Sequence, residues 1–163
     1  MDNNGFDYFE NSRYIDNRIQ KKTLILDHTI GTNTTFNIQL DEPLSINKES
    51  DVYLDSFTTY GALLNDAANN IQMGFLLKID EFNIQTISTV SGQNGKIIIP
   101  NEDETGETNV KVHKGKKLNY ICSINPSKIS SMTGSITKLD DNTTMFAANG
   151  RFIAEFVIVS KKD

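Results

Sequence analysis

The run at residues 150–160 constrains this chain more than any other stretch. Phe152, Ala154, Phe156 and Ile158 fall on one face at period two, and Ile153, Glu155, Val157 and Val159 fall on the other. A strand apolar on nearly both faces belongs at the centre of a sheet, covered above and below. Asn149-Gly150 reads as a turn just before it, and Lys161-Lys162-Asp163 as a polar end just after.

The rest of the chain repeats the theme. Residues 22–29 form an apolar strand-like run. In residues 34–40, Phe36, Ile38 and Leu40 alternate with Asn37 and Gln39, the mark of a half-buried antiparallel strand. Pro43 ends that strand or marks a sheet edge. In residues 51–59, Val52 and Leu54 are expected on one face, Tyr53 and Phe57 on the other. Phe75, Leu77 and Ile79 share a side of the next strand, and Phe82, Ile84 and Ile87 are expected to continue into another. Residues 91–95 form a hairpin-type turn into the strand at 96–99, which Pro100 closes. A strand around Cys122 ends at Asn125-Pro126, and a weaker one spans residues 129–139. Residues 60–70 alone tolerate helix, and for two turns at most. About ten β-runs with regularly spaced turn signals describe an all-β sandwich or barrel.

A chain of 163 residues makes one domain with its own core. The single cysteine, Cys122, excludes an intrachain disulfide and fits a reducing compartment. In its strand it reads as a small buried residue. The net charge of −5 argues against a coat for duplex DNA, so no direct nucleic-acid binding is expected. No apolar run is long enough for a membrane span, and the polar, acidic first residues resemble neither signal nor transit peptide.

Catalytic motifs are missing from the sequence. His28 and His113 lie far apart, with no metal-ligand spacing, and Asp27 and His28 point to opposite faces of a strand. The carboxylates at residues 101–107 do not follow a calcium-loop spacing and read as a solvated loop. The basic turn at residues 113–117 leads into the strand around Cys122. The expectation is a protein without catalytic residues, cofactor or catalytic metal.

Residues 1–19 carry no period, and the boundary falls there: an N-terminal arm at 1–19 and a β domain at 20–163. Phe6, Tyr8, Phe9 and Tyr14 sit among Asp, Asn and Arg. A loose terminus accounts for the polar residues. An arm that folds onto a partner accounts for the aromatics, which become its interface anchors.

Several pieces together carry a family resemblance: residues 53–57 (Tyr-Leu-Asp-Ser-Phe), 75–79 (Phe-Leu-Leu-Lys-Ile), 99–102 (Ile-Pro-Asn-Glu), Asn125-Pro126 with 134–137 (Gly-Ser-Ile-Thr), and 150–156. In that order the chain resembles the single jelly-roll minor capsid or penton-type proteins of large double-stranded DNA viruses. The resemblance spans roughly residues 20 to 160; neither the acidic loop nor the aromatic arm belongs to it. It implies a single jelly roll of about eight main strands in two packed antiparallel sheets, no catalysis, and work done through subunit interfaces. It further implies a homo-oligomer, pentameric at a vertex, in the capsid of a virion, with the major capsid protein or other minor capsid proteins as partners. A jelly roll pairs its first and last strands, here 22–29 and 151–160. The competing readings are a carbohydrate- or receptor-binding β-sandwich such as a fibre head, and an enzyme on a sandwich or cupin-like barrel. The enzyme would need more clustered histidines than this chain has.

If the arm serves a neighbour rather than its own core, deleting residues 1–19 leaves the melting temperature nearly unchanged and impairs incorporation into particles. Thermal melts of the truncated chain, beside a co-assembly assay, check this; a truncated chain that fails to fold would assign the arm to the core.

Overall fold

The computed structural model describes residues 20–62, 74–100, 110–113 (backbone), 119–139, 143–144 and 146–161. The arm at 1–19 with Phe6, Tyr8, Phe9 and Tyr14, the acidic loop at 101–107, the basic turn after His113, and the helix-tolerant stretch beyond Ala62 lie outside the described residues.

Among the described residues nine strands are present: β1 Lys21–Thr29, β2 Thr35–Ile46, β3 Ser50–Ala62, β4 Gly74–Ile79, β5 Ile97–Pro100, β6 Val110–His113, β7 Asn119–Ile124, β8 Ser127–Lys138 and β9 Phe146–Ser160. One sheet runs β1-β9-β3-β6 with β7 also on β3; the other runs β2-β8-β4-β5. β7 pairs the first half of β3, from Ser50 to Leu54, and β6 the second, from Phe57 to Tyr60. The two therefore fill one position along the same edge. The pairs β1·β9, β2·β8, β3·β7/β6 and β4·β5 nest one inside the next, as in a long antiparallel hairpin rolled into a sandwich. That is a single jelly roll. All pairings are antiparallel, and β1 pairs β9 continuously from Lys21↔Val159 to Thr29↔Arg151, the terminal pairing expected from the sequence.

Alternation decides which side chains meet between the sheets. Leu24 and Leu26 from β1, Phe152, Ala154, Phe156 and Ile158 from β9, and Val52, Leu54 and Phe57 from β3 face Phe36, Met132, Ile136, Phe75, Leu77, Ile79, Ile97 and Ile99. Phe36, Leu54, Phe75, Phe152 and Phe156 are all buried, as their faces require. Four rings link the two sheets. Phe36 lies 5.2 Å from Phe152, Phe152 stacks on Phe57 at 5.8 Å, and Phe57 reaches Phe75 at 5.1 Å. Gly134 makes room for the first: a Cβ there would sit 2.7 Å from the Phe36 ring and 2.0 Å from the Lys78 carbonyl oxygen.

Three expectations are corrected, and one strand is added. Phe57 does not share a face with Tyr53. The β3·β9 register jumps from Leu54↔Phe156 to Ser56↔Glu155, so Asp55 is an extra residue that shifts parity and turns Phe57 inward. Residues 82–87 are not a strand. Their backbone bonds locally, Phe82 N to Ile79 O and Ile84 N to Phe82 O, and the connection drops Phe82 and Ile84 into the core while Ile87 is 95% exposed. A 3-10 turn, Ser91–Gln93, follows, and Gly95 (φ 67°) donates its N–H to Thr86 O. Asn149-Gly150 does not precede the last strand; it lies within it. Tyr60 pairs Arg151 and Ala62 pairs Phe146, so residues between them bulge out. A Cβ at Gly150 would stand 2.3 Å from that of Phe146, and its carbonyl accepts from Ile30 and Gly31 N–H. Finally, the strand that opens at Val110 was not legible in the sequence.

Phe156 is fully buried and packs edge-on against Phe82 at 5.2 Å. Phe156→Ala is expected to cost about 3–5 kcal/mol of stability, measured by chemical denaturation; an unchanged transition would refute its place in the core.

Candidate functional site

The polar chemistry is spread over the sandwich rather than gathered in a cleft. Among the described residues no group of three or more His, Cys, Asp or Glu is placed to hold a metal ion. His28 turns inward against Phe36 and Phe152, with ring centroids 6.4 and 6.1 Å away. His113 sits on β6, with β9 and β3 between them. Asp27 points to the opposite face from His28, where its carboxylate takes two hydrogen bonds from Arg151, Nε at 2.7 Å and Nη2 at 2.6 Å. Those bonds hold the Asp27 carboxyl below its ordinary value and raise Arg151. Cys122 is 4% exposed. Burial pushes its thiol up to about 11, against a backbone hydrogen bond from Asn83, and the charge of Asp51 adds to the rise. It is a packed residue, as its strand implies.

What the fold does build is two unlike outer faces. The outer face of the β2-β8-β4-β5 sheet carries Asn37, Gln39, Ser131, Thr133, Ser135 and Lys78. Glu81 caps it, accepting from Thr133 N–H and Oγ1. Toward β5 it becomes apolar: Leu76 is buried and Ile98 is half exposed.

The outer face of the β1-β9-β3-β7/β6 sheet is set by the second apolar stripe of β9. Cross-strand rows run Thr23–Val157–Tyr53–Tyr120, Ile25–Glu155–Ser56, Asp27–Ile153–Thr58 and Thr29–Arg151–Tyr60. Val157 is only 4% exposed although it belongs to this face; Ile25 is 59% exposed and Tyr60 48%. Thr58, Thr59, Tyr60, Arg151 and Ile153 line an open groove of about 340 Å³. Thus β9 is central within its sheet, but the described residues place no second layer over this stripe.

One aromatic pair was invisible in the sequence. Tyr53 and Tyr120 are register partners, with rings edge to face at 5.8 Å. Tyr120 Oη lies 3.1 Å from Ser123 Oγ, which donates to Asp51 Oδ1 at 2.6 Å. Sequence separation hid this pair; only the β3·β7 register could reveal it. The anchors proposed from the sequence, Phe6, Tyr8, Phe9 and Tyr14, lie outside the described residues. Among the described residues, no helix is long and apolar enough to cross a membrane.

No protein-family model matches the chain, and no curated protein matches it. Among solved structures, the infectious bursal disease virus VP2 subviral particle is similar over 85% of this chain and 33% of that one, at 8% identity and a TM-score of 0.28. The chain spans about a third of the VP2 chain, and a likeness this distant adds nothing to the fold assignment, which rests on strand order.

Native Cys122 is expected to react with a thiol reagent at pH 7 on the order of a hundredfold more slowly than in the unfolded chain, whose thiol titrates near 8.5. Timed labelling with and without denaturant measures this; equal rates would contradict its burial.

Proposed function

We propose that this chain is a structural virion protein: a single jelly-roll building block at a capsid vertex (penton) or minor capsid position, acting through subunit interfaces. The observation that carries the reading is the nested strand order, β1-β9-β3-β7/β6 packed on β2-β8-β4-β5, joined to the sequence pieces that resemble such proteins. A jelly roll hosts many functions, so the fold alone does not choose among them. The outer face of the β9 sheet supports an interface role. Its apolar side chains, Ile25, Ile153 and Tyr60, are the kind of surface that subunit contacts remove from water. On this reading the chain is no enzyme, its partners are further copies and neighbouring capsid proteins, and the N-terminal arm supplies anchors to a neighbour.

A second reading is favoured by one observation. The Tyr53–Tyr120 pair presents an exposed ring beside the Ser123–Asp51 hydrogen-bond pair. An aromatic platform edged by a carboxylate is what a sugar ring stacks on and bonds to, as a receptor-binding β-sandwich would use it.

Two measurements separate these. Sedimentation or light scattering of the purified chain is expected to give a closed oligomer, with five copies for a vertex protein, that co-purifies with virions. A monomer at every concentration, absent from particles, would sink the structural reading. Glycan-array binding abolished by Tyr120→Ala would establish the second reading, and an unresponsive array would remove it.

A further inference from the structure

From the apolar groove and the way the chain enters β1, we infer that the outer face of the β1-β9-β3 sheet is the seat for residues 1–19 of a neighbouring copy. Phe9 occupies the groove walled by Tyr60, Ile153 and Arg151, and Arg13 meets Glu155. The inference deepens the structural reading and rests on it for the presence of a neighbour.

The point of departure of the arm is fixed. Gln20 is held in line with β1: its N–H donates to Ser160 Oγ at 2.9 Å, and its carbonyl accepts from Ser160 N–H at 2.9 Å. Tyr14 is six residues and Phe6 fourteen residues upstream of Gln20. At a maximum of roughly 3.3–3.6 Å per residue these side chains can reach up to about 20 to 50 Å from Gln20, far enough to meet a neighbouring copy.

The spacing of the arm matches the spacing of the face. Arg13 and Phe9 are four residues apart and share one side of an extended chain. Glu155 and Arg151 are four residues apart on the outer face of β9. An extended arm lying along β9 sets Arg13 on Glu155 and Phe9 at the groove in the same register. The chemistry agrees at both ends. Among the described residues, Glu155 meets only the Ser56 hydroxyl, at 3.5 Å, and has no cation beside it. Arg151 is already neutralised by its two bonds to Asp27, so its guanidinium plane can receive an aromatic ring without another counter-charge. Ile153 and Tyr60 supply the apolar walls.

The test uses the full chain with Cys122→Ser, which removes its one thiol, and a cysteine pair, Phe9→Cys with Ile153→Cys. After mild oxidation of the assembled protein, a non-reducing gel is expected to show a ladder of covalently linked copies. The control pair, Phe9→Cys with Asn37→Cys on the opposite sheet, should give none. A second pair of variants needs no new cysteine. Arg13→Glu should raise the dissociation constant of assembly about two- to five-fold, and adding Glu155→Arg should restore it. Light scattering on the unmodified chain keeps the two proposals apart. Oligomers without a ladder and without charge-swap rescue overturn the seat but leave the structural reading standing. An intramolecular link that leaves the chain a monomer on the gel overturns the neighbour as donor. A chain monomeric at all concentrations overturns both.

Discussion

The two sheets are held in register by a chain of four phenylalanine rings. Phe36 on β2 touches Phe152 on β9, Phe152 stacks on Phe57 of β3, and Phe57 touches Phe75 on β4. Two contacts in that chain cross between sheets and one lies within a sheet, so the rings fix how strands of one sheet sit over strands of the other. Offset and tilted ring pairs add to area burial, at about 0.5–1.5 kcal/mol each. Two backbone exceptions make the arrangement possible. The extra residue Asp55 turns Phe57 inward; without it the one-residue parity of a strand would aim that ring at solvent. Gly134 lets the Phe36 ring lie against β8, where any side chain would collide with the ring and with Lys78.

With the inner faces matched, the difference between the outer faces and edges governs what the domain can do next. Three of the four sheet edges are guarded. β2 carries Asp41, Glu42 and Pro43 where its register breaks, and β5 is four residues long. β1 carries Lys21 and Lys22, and the Lys22 ammonium bridges to the Ser45 carbonyl on the facing sheet. These are the devices that discourage edge-to-edge strand addition. Guarding at those edges leaves the faces of the sandwich as the broader surface open to contact. Of the faces, that of β9 exposes more apolar material, with Ile25 and Tyr60 both in the open against Ile98 on the other, while Val157 is shielded within its row.

Much of the architecture was legible because period-two patterning survives in strands that bury one face. Phe152 to Ile158, Phe36 to Leu40 and Phe75 to Ile79 all announced their inward sides, and the pairing of first and last strands followed from the jelly-roll reading. What was hidden fell where the backbone departs from that period. Asp55 carries no sign that it is a bulge. Phe82 and Ile84 alternate as a strand would, yet their N–H groups bond within their own segment. Asn149-Gly150 has the chemistry of a turn but is absorbed in a bulge of β9, where Gly150 is selected by contact with Phe146. Val110 and Val112 are too few to mark a strand by themselves. The candidate site was hidden for a different reason. Tyr53 meets Tyr120, Tyr60 meets Arg151 and Thr58 meets Ile153 through strand register, and register between distant segments is a property of the whole fold.

The electrostatics of the β9 face set orientation more than strength. Asp27 and Arg151 satisfy each other in a bidentate, solvent-exposed pair, which contributes little to folding. Its larger consequence is for contact. A surface whose charges are already paired can be covered without leaving a lone ion desolvated, the step that makes burying unmatched charge costly. Glu155, two residues from Ile153 on the same face, lacks that protection. Any partner that covers the groove must bring a cation to Glu155 or leave it open to water. In such a contact, apolar burial at Ile153 and Tyr60 would supply the affinity, and Glu155 would select which apolar segments can lie there and in which direction.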